Sequence, residues 1–188
     1  MADPVIAFAS VPECIAWFEA NHADHTGFLL KIGKGALAPT TVGYQDGLTI
    51  ALCFGWIDGQ KRALDEHYWL QRFTARTSRS KWSKINRDKA EALIAAGEMR
   101  PAGLRAVEAA KADGRWDAAY ASPATAEVPD DLADALATDP AAMAFFETLT
   151  GTNRYAILYR IQDAKKPETR AARIAKFVAM CHNGETLH

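Results

Sequence analysis

Residues 72–89 read RFTARTSRSKWSKINRDK. The opening of this stretch ends an aromatic, β-like run, Tyr68–Thr74 (YWLQRFT), and its close begins a helical pattern. Strand, loop and helix therefore succeed one another here, which points to a mixed architecture rather than a helical bundle. Seven of its residues are basic (Arg72, Arg76, Arg79, Lys81, Lys84, Arg87, Lys89) against one acid, Asp88. Ser80 and Ser83 supply hydroxyl donors, Trp82 a flat ring, and Asn86 stands where a helix would be capped. Guanidinium forks match phosphate or carboxylate bidentately, and a helix start directs free N–H groups and a positive dipole end to the same place. An anion site at Arg72, Arg76, Arg79, Ser80, Trp82, Ser83 and Asn86 is one expectation. The competing one pairs Arg72 and Arg76 with the acidic segment at residues 127–139 and buries Trp82 in the core.

Upstream, Phe54–Leu64 (FGWIDGQKRAL) reads as a second strand, joined to Tyr68–Thr74 near Asp65-Glu66. A turn at Asp58-Gly59 is the rival register. Gly27–Ile32 (GFLLKI) is short, apolar and bounded by glycine, a third strand, and Lys34 to Pro39 reads as loop. Ser10-Val11-Pro12-Glu13 has capping-box spacing and predicts a helix burying Val11, Ile15 and Phe18. Thr41 is the expected cap of a helix ending at Cys53, with Leu48, Ala51 and Leu52 inward and Gly43 and Gly47 weakening it.

Downstream, Asn86 is the expected N-cap of a helix with Ala90, Leu93 and Ile94 on one face and Gly97 as its stop. Pro101 opens the next, carrying Leu104 and Val107 and stopping at Gly114. Residues 121–128 (ASPATAEV) show no periodicity and read as a linker. Four helices should follow. Their expected inward residues are Leu132 and Leu136; Met143, Phe146 and Leu149; Tyr155, Leu158 and Ile161 behind a Thr152 cap; and Ala171, Ile174, Ala175, Val178 and Cys181. The fold class is thus α+β and helix-rich, a small antiparallel sheet with packed helices plus a C-terminal helical module. The domains expected are residues 1–120, a linker at 121–128, and a module at 129–188.

At 188 residues with 49% hydrophobic and 24% charged side chains, the chain can bury a real core. The net charge of −1 disfavours nucleic acid as the main partner while leaving it open. Charge is nonetheless segregated, from −4 in residues 1–60 to +6 in 61–115, −7 in 116–150 and +4 in 151–188. The three cysteines (Cys14, Cys53, Cys181) form no CxxC pair and lie in apolar patterns, as in a reducing compartment. There is no signal-peptide pattern and no apolar run long enough for a membrane span, so the expected location is the cytoplasm.

Other constellations are weak. His22-Ala23-Asp24-His25 lacks the further ligands a zinc site needs, since His67, His182 and His188 are isolated. Gly33-Lys34-Gly35 is only a fragment of a phosphate loop, and no GxSxG elbow or pair of carboxylates in an apolar setting stands out. Cys53 reads as a structural thiol. No catalytic residue, cofactor or metal is assigned, and the chain leans away from catalysis. The alternative is an enzyme whose pocket uses Trp56, Asp58 and the Arg72–Asn86 region. A structural partner of another protein is a third possibility.

The runs ALCFGWIDG (51–59), RFTARTSRSKWSKIN (72–86) and GEMRPAGL (97–104) resemble the bacteriocin-protection family labelled YdeI/OmpD-associated. So do VPDDLADAL (128–136), AFFETLTGTNRY (144–155) and AKKPETRAARI (164–174), so that the resemblance runs from about Phe8 to Cys181. Ala75 departs from it, where proline would be expected before Arg76, and Gly47 is unusual inside its helix. The resemblance implies tolerance of bacteriocins or cationic antimicrobial peptides and an outer-membrane porin as partner. The missing export signal argues against an envelope location for this chain. No catalytic chemistry is carried over. The partners expected are an anionic small molecule or a protein, in a cytosolic binding or stress-tolerance role.

Overall fold

The computed structural model describes residues 3–187, so His188 lies outside the described residues. The chain divides into two compact units, residues 1–119 and 120–188. The fold is α+β and helix-rich, with a four-stranded sheet in the first unit.

That sheet has the order β1-β2-β4-β3, from β1 (Val5–Ile6), β2 (Gly27–Gly33), β3 (Trp56–Ala63) and β4 (Tyr68–Ala75). β2, β4 and β3 pair antiparallel, as expected, but β1 adds a parallel pair on β2, so the sheet is mixed. The hairpin turns at Asp65, whose Oδ1 accepts hydrogen bonds from the backbone N–H of His67 (2.8 Å) and Tyr68 (2.7 Å). Asp58-Gly59 is not a turn but the site of a register shift in β3, between the Asp58–Phe73 and Lys61–Gln71 pairs. The buried Gln71 side chain donates to the Gly59 carbonyl at 2.8 Å, which satisfies a group the irregular ladder would otherwise strand.

Phe28, Leu30 and Ile32 of β2 share a face with Phe73 of β4, as strand alternation requires. Four helices pack in this unit: α1 (Val11–Asn21), α2 (Tyr44–Cys53), α3 (Lys84–Ala95) and α4 (Pro101–Ala112). Phe18, Phe28, Phe54, Trp56 and Phe73 form the aromatic centre of its core. The capping motif forms, with Ser10 Oγ accepting from the Glu13 N–H while Glu13 Oε2 reaches back to the Ala9 N–H. Val11 is 39% exposed, contrary to its expected burial, while Phe18 is buried as expected, Ile15 packs on the core and Cys14 joins the inward stripe.

α2 starts at Tyr44 with Gly43 as N-cap, later than expected, because Thr41 Oγ1 is taken by the N–H of Gly33 at the end of β2. Gly47 is explained by packing: a Cβ there would lie 2.7 Å from Leu30 Cδ2, so the helix rests directly on the sheet. α3 is capped by Ser83, not Asn86, and Asn86 is buried in its first turn. α4 buries Gly103, Val107 and Ala110, while Leu104, an expected core residue, is 37% exposed.

The second unit contains α5 (Asp130–Ala137), α6 (Pro140–Thr148), α7 (Gly151–Gln162) and α8 (Pro167–His182). Leu132, Leu136, Phe146, Ile157, Ile161, Phe177 and Cys181 form its core. Thr150, not Thr152, is the N-cap of α7. Tyr155 is only half-buried, and its hydroxyl donates to the Ala121 carbonyl at 2.9 Å. The inward stripe of α8 is Ile174, Phe177 and Cys181, so Ala171 and Ala175 face outward rather than into the core. No helix among the described residues is long and apolar enough to cross a membrane.

Candidate functional site

The basic stretch leaves β4, crosses a loop and enters α3. Arg72 stands on the sheet, and its Nε donates to Asp3 Oδ2 at 2.6 Å. Its carboxylate partner is therefore at the chain's start, and Asp131 is held by Arg170. Arg76 is half-buried with its guanidinium 3.5 Å above the Trp82 ring, and its Nη1 donates to the Lys81 carbonyl at 3.0 Å. Trp82 is 1% exposed, covered by Arg76 on its face and met at 4.8 Å by the Trp116 ring. It has no surface left to stack on a ligand, so that expected role is corrected: cation–π contact and core packing have used both sides of the ring.

The loop itself is braced. The Thr77 N–H donates to Ser80 Oγ at 3.0 Å and the Ser80 N–H to the Thr77 carbonyl at 3.0 Å. Arg115, fixed by Asp113 at 2.8 Å, donates through Nη1 to the carbonyls of Ser80 (2.9 Å) and Thr77 (3.3 Å). Ser83 Oγ accepts from the Asn86 N–H at 3.1 Å. The hydroxyls expected to grip a ligand thus hold the turn and the helix start. Sequence reasoning missed Arg115 and Asp113, which stand far along the chain from the loop and give no local signal.

Within this frame Arg79, Lys81 and Lys84 are exposed, and Ile85 beside them is 55% exposed. Arg79 and Lys84 form no ion pair among the described residues. Their charges stand beside the first turn of α3, whose dipole end is positive. Such an arrangement can attract an anion.

Trp56 is in the core, 1% exposed and packed against Phe18 and Phe28. Asp58 is half-buried at the rim of the same sheet face, accepting a hydrogen bond from the Tyr44 hydroxyl at 2.9 Å. The Trp56 ring is therefore closed off by its neighbours, contrary to its expected part in a ligand pocket. The thiols are equally unsuited to nucleophilic work. Burial, with Glu13 and Asp46 nearby, pushes Cys14 up to about 12, and burial likewise raises Cys53 and Cys181. His22 and His25 turn to different partners, the Phe18 carbonyl and the Trp17 ring.

In the second unit, Arg170 grips Asp131 through two bonds of 2.6 and 2.8 Å, and that guanidinium holds the Asp131 carboxyl below its ordinary range. Asp139 caps α6 through the Ala142 N–H and is 2.8 Å from His182 Nδ1; both lower its pKa, the backbone bond first. Between these two pairs runs an open groove of about 870 Å³, lined by Ala135, Ala171, Ile174, Ala175 and Val178 among others.

No curated protein and no solved structure matches the chain. Residues 125–184, which hold α5 to α8, match the family model described as Bacteriocin-protection, YdeI or OmpD-Associated. The N-terminal unit matches a different model, and that match spans more than half of the chain. By residues 6–106 the chain belongs to the family described as Domain of unknown function (DUF8412), and it joins that domain to a YdeI/OmpD-associated one.

Proposed function

We propose that this is a binding protein of the stress-tolerance kind, which takes an anionic, phosphate-like ligand on the loop between β4 and the start of α3. One observation carries the proposal: Arg79 on the loop and Lys84 at the first position of α3 stay exposed and form no ion pair among the described residues, on a frame that Arg76, Trp82 and Arg115 hold in place. Like charges gathered on a braced frame repel one another, and an anion between them relieves that repulsion. Preorganisation lowers the ordering cost of binding. Three buried, unpaired thiols favour a reducing compartment, and with it a cytoplasmic setting. The description of the C-terminal domain makes bacteriocin protection the phenotype to test.

Mass action gives the experiment. A ligand that binds only the folded state raises the melting temperature as its concentration rises. Phosphate should raise it more than chloride at matched ionic strength, and replacing Arg79 and Lys84 by Ala should remove the difference. These side chains are exposed, so the variant should fold. A wild-type protein indifferent to phosphate, or a variant that still responds through its loop, overturns the proposal.

A further inference from the structure

We propose that a second pocket of the N-terminal unit, lined by His22, Phe54, Arg100 and Arg105, binds a small oxyanion that also carries a hydroxyl group, of the inorganic phosphate class. The proposal stands on different residues from the loop and does not depend on it. The pocket has a volume of about 230 Å³, enough for one tetrahedral oxyanion with water.

Three stretches that sequence inspection singles out for separate reasons meet here. His22 comes from HADH at the end of α1, Phe54 from ALCFGWIDG at the end of α2, and Arg100 and Arg105 flank the start of α4 beside GEMRPAGL. Their meeting is fixed by backbone contact. The Arg100 N–H donates to the Cys53 carbonyl at 3.1 Å, and a Cβ on Gly103 would lie 2.3 Å from that same oxygen. The end of α2 and the start of α4 are therefore clamped together, and the side chains they carry are preorganised. The His22 ring lies 5.1 Å from the Phe54 ring, and the Arg100 guanidinium lies 5.9 Å from it.

Charge selects an anion. Arg100 is paired with Glu19 at 3.2 Å, while Arg105 is exposed and forms no ion pair among the described residues. Two guanidinium groups against one carboxylate leave the pocket positive, and a guanidinium fork suits a tetrahedral or planar oxyanion.

The imidazole narrows the class. His22 Nδ1 is 2.8 Å from the Phe18 carbonyl, which can only accept, so Nδ1 carries the proton. In the neutral ring Nε2 is then an acceptor. It repels an anion made only of acceptors, such as sulfate, and welcomes one that retains an O–H. Monohydrogen phosphate supplies both, its oxyanion to the guanidinium groups and its hydroxyl to Nε2.

The test follows the His22 ring nitrogens by NMR at about pH 8, where an ordinary imidazole is neutral, during titration with inorganic phosphate and, separately, sulfate. Phosphate should saturate with a Kd below about 10 mM, and sulfate should bind at least about five-fold more weakly. Arg105→Gln should weaken phosphate binding by about five-fold or more with the ring spectrum of the free protein unchanged. His22→Phe should abolish the preference for phosphate over sulfate, read on the Phe54 and Arg105 signals. The Arg79 and Lys84 substitutions should leave the His22 response as it is, so this site and the loop fail independently. Equal binding of the two anions, unmoved His22 signals, or an Arg105→Gln variant that binds like the wild type would each overturn the proposal.

Discussion

Gly103 shows how much one hydrogen atom in place of a side chain can decide. Its α-carbon sits so close to α2 that an added methyl group would meet the Cys53 carbonyl oxygen at 2.3 Å and Met99 Sδ at 2.4 Å. Gly103→Ala gains helix propensity, about 1 kcal/mol, yet the steric cost is larger and falls partly on backbone that cannot swing away. A net destabilisation on the order of 2 kcal/mol is expected in urea unfolding. A variant as stable as the wild type would show that the two helices are not in contact there. Arg76 is the second telling residue. In sequence it is one basic residue among seven, and nothing local reveals that Trp82 lies beneath it. Such a pairing forms only when a loop folds back on itself, so the charge was legible and the internal use of it was not. For Trp82 and Trp56 the same applies: an aromatic residue in a polar or glycine-flanked run reads as either ligand platform or core, and burial alone decides.

At the level of elements, hydrophobic spacing located each α-helix and the hairpin, but Lys34 to Pro39, expected as loop, lies largely in a short 3-10 helix, Gly35–Thr40, and caps were harder to place. Ser83 and Asn86 are both good cap residues, three apart, and only the bond from the Asn86 N–H to Ser83 Oγ separates them. Ser83→Ala should therefore cost about 1 kcal/mol, seen as an earlier loss of α3 in thermal unfolding. If Asn86→Ala lost the helix cap while Ser83→Ala did not, that placement would fail. β1 escaped notice because two residues, Val5 and Ile6, carry no periodicity. In α8, Ile174 and Cys181 are buried as their spacing predicts, whereas Ala171 and Ala175 are exposed and Phe177 takes the place between, since Ala fits core and surface alike.

Acid sensitivity belongs to this scale too. Asp131, gripped by Arg170, and Asp139 and Asp65, held first by backbone N–H groups, all have pKa values lowered in the folded state. A carboxylate lowered on folding adds stability that is present above its unfolded value and lost as pH falls through the folded one. Stability should thus decline below about pH 4. Arg170→Gln should be less stable than the wild type near neutrality, and the gap should narrow on acidification. A gap that stays constant to the lowest pH would mean that the Asp131 pair contributes through packing alone.

For the whole molecule, the chain divides into two compact units, each with its own core, and this division does not follow the four charge blocks of the sequence. Residues 121–128 are proposed as the linker. Limited proteolysis should cut first near residues 122–127, where Pro123, Ala124, Thr125 and Glu127 are exposed. Cuts confined to the chain ends would mean that this segment is protected. What spacing and charge could not supply was the identity of a ligand, because exposed arginine and lysine attract every anion. The most direct measurement is therefore a phosphate titration of the intact protein followed by backbone amide NMR. The account predicts saturable shifts concentrated at residues 77–85, lost when Arg79 and Lys84 are replaced by Ala. Amides in that loop that stay still while phosphate saturates elsewhere, or nowhere, would contradict it.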